Sequence, residues 1–282
     1  MSVEAGSRLG QFLIHEYLGQ GDLGRVYRAD QPNVGSVSIK ALRGLADPEA
    51  KRRFLRLAPR LVGLRHPNLA RVLEFGEHSD VPYLVLQHVE GGSLADRMKS
   101  GAISPPAALS ILRGVAAGID RVHGAGLVHG DLKPQQVLLD PPDHPFVTDV
   151  ALAPLRRPRR AGESRSVPPG RAAYLAPELV VGGEPTAASD RYAFAAIAYE
   201  LLVGRKPSTP SSLAGEGRGG GGRLPFRGRS KGVTSAGVHL DPQLPSGSTL
   251  GPRASQVLLR GLANEPDARW GSCTALVVHI EP

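Results

Sequence analysis

Asp131 and Lys133 stand two residues apart in LVHGDLKPQQVLLD, residues Leu127 to Asp140. A carboxylate in such a loop can accept a proton or orient a hydroxyl nucleophile. A lysine beside it can neutralise charge on a phosphoryl group in transit. Eighteen residues beyond Asp131, FVTDVA places Asp149 at the end of an expected β-hairpin, where a carboxylate can hold Mg²⁺. Upstream, LGQGDLGRVY spaces Gly19, Gly21 and Gly24 as G-x-G-x-x-G. Glycines let backbone amides approach phosphates without a Cβ in the way. A dinucleotide site would need a helix after them, whereas Val26 and Tyr27 continue as strand, which predicts a phosphate-covering hairpin. Lys40 ends the strand VSIK sixteen residues after Gly24 and becomes a candidate clamp for nucleotide phosphates. Each residue alone has a plainer reading, as a turn aspartate or a solvated strand-end lysine. The ordered set is far more specific than any member.

The elements that must carry these residues fall into two textures. From Gln11 to His88 short strand patterns dominate: FLIHEYLG, GRVYRAD, SVSIK, RVLEFGE and VPYLVLQHV. One helix interrupts them, from about Pro48 to Leu64, before the breaker RHPN; Pro59 inside it is expected to kink or shorten it. After Gly91 and Gly92 the chain becomes helical. Ser104 and Pro105 read as N-cap and first helical residue, followed by the stripe Ala108, Ile111, Leu112, Val115, Ile119 and Val122. SDRYAFAAIAYELLVG has so few charges that it predicts a central, buried helix. Between about 205 and 251 lies a Gly/Ser/Pro-rich stretch, GEGRGGGGR included, that reads as an insertion. No internal repeat is present.

Bulk properties narrow the class. The chain of 282 residues, 41% hydrophobic, can bury a substantial core. No apolar run approaches the roughly 18 residues of a membrane span and no leader pattern opens the chain. The single cysteine, Cys273, rules out an internal disulfide framework and fits a reducing cytoplasm. The net charge of +8 and the basic stretch PLRRPRRAGESR raise a nucleic-acid reading. No aromatic residues interleave with the arginines, so that reading is disfavoured.

Taken together, these motifs resemble the bacterial serine/threonine protein kinases of the eukaryotic-like type, from about Gln11 to Pro282. PYLVLQHVEGGSL is similar to the hinge, AYLAPE to the end of the activation segment, and EPDARW supplies Arg269, which in the family pairs with the glutamate of that segment, here Glu178. The resemblance implies an α+β bilobal fold. An antiparallel-sheet N-lobe with one regulatory helix (11–88) meets a mainly helical C-lobe (89–282), with ATP and Mg between them. It implies nucleotide contacts from Leu18, Gly19, Gly21, Gly24, Val26, Lys40, Leu86, Gln87, Val89 and Leu138. It also implies catalytic roles for Asp131 and Lys133, metal binding by Asp149 and Gln136, and a protein substrate or signalling partner.

Departures from the pattern are equally concrete. Counting back from HPN puts Leu57 where the family has the glutamate that pairs with Lys40, and Glu49 is the nearest substitute. Gln136 replaces an asparagine, Val150 and Ala151 replace Phe-Gly, and Gly130 replaces the arginine that docks a phosphorylated activation segment. Arg171 replaces a threonine that contacts Asp131 and Lys133. Losing one electrostatic stabiliser costs roughly 10²–10³-fold in rate. The chain therefore reads as a kinase of reduced activity, with a pseudokinase acting through nucleotide or protein contacts as the alternative.

Overall fold

Alternation along the strands decides which residues face the cleft. The computed structural model describes residues 6–21, 23–32, 35–45, 47–155, 169–207 and 250–281. A six-stranded antiparallel sheet has the order β1-β2-β3-β4-β6-β5, from β1 (Arg8–Leu9), β2 (Phe12–Gly21), β3 (Gly24–Gln31), β4 (Gly35–Ala41), β5 (Val72–His78) and β6 (Val81–Gln87). Side chains on a strand point alternately to opposite faces. On β4 and β6, Val37, Ile39, Ala41, Tyr83 and Val85 join one apolar cluster with Phe12, Ile14 and Tyr27. Leu84 and Leu86 point the other way, into the main core. The register pairs Lys40 with Leu84 and Ser38 with Leu86, so Lys40 shares that second face.

Against this face lies helix α1 (Pro48–Gly63), capped by Asp47 and burying Ala50, Phe54, Ala58 and Leu61. Pro59 does not shorten it, contrary to expectation: the helix runs four residues further. Pro59 and Leu55, whose carbonyl loses its helical partner, both lie on the exposed side, where water can satisfy that oxygen. The two-residue strand β1 was also not legible, because a pair of residues carries no alternation.

The described residues beyond β6 form the second lobe. Helix α2 (Leu94–Lys99) precedes α3 (Pro105–Gly124), which is capped by Ser104 as expected, with every residue of the predicted stripe buried. The hairpin β7 (Val137–Asp140) and β8 (His144–Val147) is tied to the HPN segment by two backbone bonds, Ala70 N–H to Val147 O and Val147 N–H to Asn68 O, both 2.9 Å. Short helices α4 (Pro169–Ala172) and α5 (Pro177–Val180) lead to α6 (Ala187–Val203), buried at Ser189, Asp190 and from Tyr192 to Tyr199 as its composition predicts. Helices α7 (Pro252–Gly261) and α8 (Cys273–Ile280) close the lobe, and Asp120 of α3 accepts from the first two backbone N–H groups of α8, at 2.9 Å each. No helix among the described residues is long and apolar enough to cross a membrane. Most of the predicted insertion, the arginine-rich stretch after Leu155 and the serines within it lie outside the described residues.

Candidate active site

The loop bearing Asp131 is held by a buried aspartate that sequence reasoning did not single out. Asp190, 2% exposed near the start of α6, accepts from the backbone N–H groups of His129 (2.7 Å) and Gly130 (2.8 Å) and contacts His123 Nε2 (2.9 Å). A charge in so apolar a helix is the signal that could have found it, since buried carboxylates need donors. His129 is itself fully buried. Its Nδ1 receives the N–H of Asp131 (3.3 Å), so Nε2 carries the proton and donates to Thr148 O at 2.9 Å. Thr148 N–H in turn donates to Gln136 O at 2.9 Å. The two strands of this network fix Asp131, Gln136 and Asp149 in one frame.

Within that frame Lys133 Nζ lies 3.0 Å from Asp131 Oδ2, and an Arg171 terminal nitrogen lies 2.8 Å from Oδ1. Gly130 has φ +81°, and a Cβ there would sit 3.2 Å from Ala153 Cβ and 3.4 Å from Pro185 Cβ. No side chain fits this position without displacement, which accounts for the glycine locally.

Across the cleft, Lys40 is 5% exposed and ion-paired directly with Asp149. Leu57, where a carboxylate was the family expectation, packs half-buried against the main core. Glu49 does not substitute: it faces solvent, engaged by Arg52, Arg53 and Arg56, and its hydrogen bond from Arg52 holds its carboxyl below the usual range. Gly21 and Gly24 end the two strands of the hairpin, with Val26 opposite both Gly19 and Lys40. A Cβ on Gly21 would meet Lys40 Nζ at 3.7 Å, so this turn lies directly over the lysine. Leu86 and Asp149 line one apolar recess with Leu61, Leu64, Val72 and Leu84. Leu138 is half-buried beside Ser93, Val89 is buried, and Leu18 is exposed at the hairpin. The N–H of Gln87 is bonded to Arg71 O at 2.9 Å, so its contribution to a ligand must come through its carbonyl.

Below the catalytic loop, Arg269 is fully buried and donates to both oxygens of Glu178, at 2.7 and 2.8 Å. It also donates to the carbonyls of Ala188, Ala263 and Asn264. Tyr174 donates to Glu200; burial and that carboxylate push its hydroxyl far up, so it stays protonated.

A family model described as "Protein kinase domain" matches residues 12–279. The chain belongs to the protein kinase domain family. Among its relatives, serine/threonine-protein kinase PrkC of Bacillus subtilis is 32% identical over 98% of this chain and 41% of its own length. Serine/threonine-protein kinase PkaB of Streptomyces coelicolor is 37% identical over 73% of this chain and 51% of its own. The chain thus spans about half or less of these curated relatives. Among solved structures, the PknI kinase domain of Mycobacterium tuberculosis matches with a TM-score of 0.72 and 25% identity, covering 99% of this chain and 98% of that one. The bilobal α+β architecture read from the motifs is the protein kinase fold.

The pairing at Lys40 yields a prediction. Leu57→Glu would offer Lys40 a carboxylate from α1 in place of that of Asp149. Any phosphoryl-transfer rate should rise by roughly 10²-fold, measured with labelled ATP, and Gln136→Asn should add to it. An unchanged or lower rate would show that α1 holds position 57 out of reach.

Proposed function

We propose that this chain is an ATP-dependent protein serine/threonine kinase domain, spanning 11–282 with lobes 11–88 and 89–282, of reduced activity and working in the cytoplasm. The carrying observation is that Asp131, Lys133 and Asp149 are held on one backbone network facing Lys40. The Asp-Leu-Lys-Pro form of the loop, and relatives that are themselves named serine/threonine-protein kinases, support serine and threonine acceptors.

The site fits a nucleotide and a divalent ion. Gly21 leaves room above Lys40, which would hold phosphates, while Leu18, Gly19, Gly24, Val26 and Leu138 would enclose the nucleotide. The Gln87 carbonyl and the Val89 backbone would meet the adenine. No cluster of three or more metal-ligating His, Cys, Asp or Glu side chains occurs among the described residues. One carboxylate, Asp149, and one amide, Gln136, suit Mg²⁺, which keeps waters and phosphates as its other ligands. Bound ATP with its metal would supply the phosphoryl group and neutralise its charge. Asp131 would orient the acceptor hydroxyl and take its proton, while Lys133 would balance charge at the transferred group.

ATP·Mg²⁺ titration should raise the melting temperature, and γ-phosphate should reach a protein acceptor with Mg²⁺ or Mn²⁺. A shift without transfer would favour a pseudokinase, the reading that the direct Lys40–Asp149 pair supports. No shift at millimolar nucleotide would remove the nucleotide site altogether.

A further inference from the structure

Between the RHPN segment and the end of β6 lies an open recess of about 370 Å³, lined by Arg65, His66, Pro67, Arg71, Gln87 and Phe146. The backbone around it is fixed: Gln87 N–H donates to Arg71 O, and Ala70 N–H donates to Val147 O, both at 2.9 Å. Arg65 and Arg71 nevertheless hold their side chains in solvent. Among the described residues, neither guanidinium has an ion pair or a hydrogen bond, and no aspartate or glutamate lines the recess. By contrast, Arg52, Arg53 and Arg56 on nearby α1 all share Glu49. Asn68 N–H donates to His66 Nδ1 at 3.1 Å, so the neutral ring carries its proton on Nε2, a donor that no described residue takes up. Burial, and then the charge of Arg121 on α3, hold the His66 imidazole below its usual pKa. Two guanidinium groups and an N–H donor thus share one recess, with a third cation close by, and no anion answers them.

We infer that this recess is a docking site for a phosphorylated serine or threonine on a segment of another protein. The inference does not depend on phosphoryl transfer by this chain. A phosphate monoester carries nearly two negative charges and three acceptor oxygens, enough to meet both arginines and the imidazole N–H together. Guanidinium groups suit it because each can grip two oxygens through parallel bonds. A carboxylate has one charge and two oxygens, so it leaves part of the donor set unused. Arginine clusters without carboxylate partners are a recurrent means of reading phosphorylated segments. Pro67 and Phe146 give the recess an apolar wall, and its volume exceeds that of a phosphate, which leaves room for the side chain following the phosphorylated residue. A nucleic-acid backbone calls for a row of cations along a track, and these cations surround one hollow. A lipid surface is flat and favours a projecting helix face over a concavity.

The test uses the whole chain and fluorescence anisotropy of three matched labelled peptides, carrying serine, glutamate or phosphoserine before a leucine. ADP·Mg²⁺ is present, so no peptide is modified during the measurement. The phosphoserine peptide should bind at least about tenfold more tightly than the serine peptide, with the glutamate peptide between them. Replacing both Arg65 and Arg71 by alanine should abolish that preference. Both side chains are exposed, and an unchanged melting curve would show that the fold is intact. Arg65→Lys with Arg71→Lys, which keeps the charge and loses the planar fork, should restore only part of the preference. Inorganic phosphate should displace the peptide only at much higher concentration than unlabelled phosphopeptide does. Equal binding of the three peptides would overturn the inference. So would a phosphoserine preference that survives the double alanine substitution, since the peptide would then be seated elsewhere, the acceptor side of the catalytic loop included. Displacement by inorganic phosphate as readily as by phosphopeptide would reduce the recess to a simple anion site. Stronger displacement by a short RNA or by phosphatidylglycerol vesicles would assign it to one of those partners instead.

Discussion

Asp131→Asn is expected to lower phosphoryl transfer by about 10²–10⁴-fold, the usual contribution of a positioned proton acceptor. The substitution keeps size and shape but removes the charge and leaves one oxygen to accept bonds. Nucleotide binding should survive, because Lys40 pairs with Asp149 and not with Asp131. The decisive measurement is therefore a pair: transfer collapses while the ATP·Mg²⁺ thermal shift stays within error of the unmodified protein. Equal transfer rates in the two proteins would remove Asp131 from the chemistry. Loss of the thermal shift as well would mean that the loop network, through His129 and Thr148, couples the two lobes more tightly than the bond pattern implies.

Arg269→Ala should have the largest effect on stability. Arg269 is fully buried and spends its donors on both oxygens of Glu178 and on three backbone carbonyls. Breaking a buried pair by removing one partner costs about 3–5 kcal/mol. For a domain of this size that lowers the melting temperature by roughly 10 °C. Arg269→Lys should recover little, since an ammonium cannot reproduce the planar fork on the carboxylate. A melting curve unchanged within about 2 °C would show that Glu178 and the carbonyls find other donors.

Most of the fold was legible because periodicity and caps agree with the final packing. The stripe of α3 and the charge-poor α6 sit where alternation and composition place them. The helix carrying Leu57 was also legible in position, but the effect of Pro59 was not. Whether a proline breaks a helix depends on which face it occupies, and the sequence of one helix does not display its solvent side. The candidate site divides in the same way. Motif spacing located Asp131, Lys133, Asp149 and Lys40, all local in sequence. It did not disclose that Asp190 anchors the loop or that Lys40 meets Asp149; only the family resemblance set Arg171 beside Asp131. These contacts join residues 60, 109 and 40 positions apart. Such distant pairings arise only when helices and sheet are assembled. The replacement of a glutamate by Leu57 was visible, whereas the pairing of Lys40 with Asp149 of the other lobe needed the three-dimensional arrangement.

The Lys40–Asp149 pair makes the cleft its own competitor. On the proposed reading, phosphates and a divalent ion would each take one member of an existing couple, so loading would be an exchange in which one internal contact is traded for two external ones. A cation without phosphates would leave the lysine stranded, and phosphates without a cation would leave the carboxylate facing them. Half-loaded states would then be penalised, and nucleotide and metal should enter with positive cooperativity, each tightening the other by the same factor.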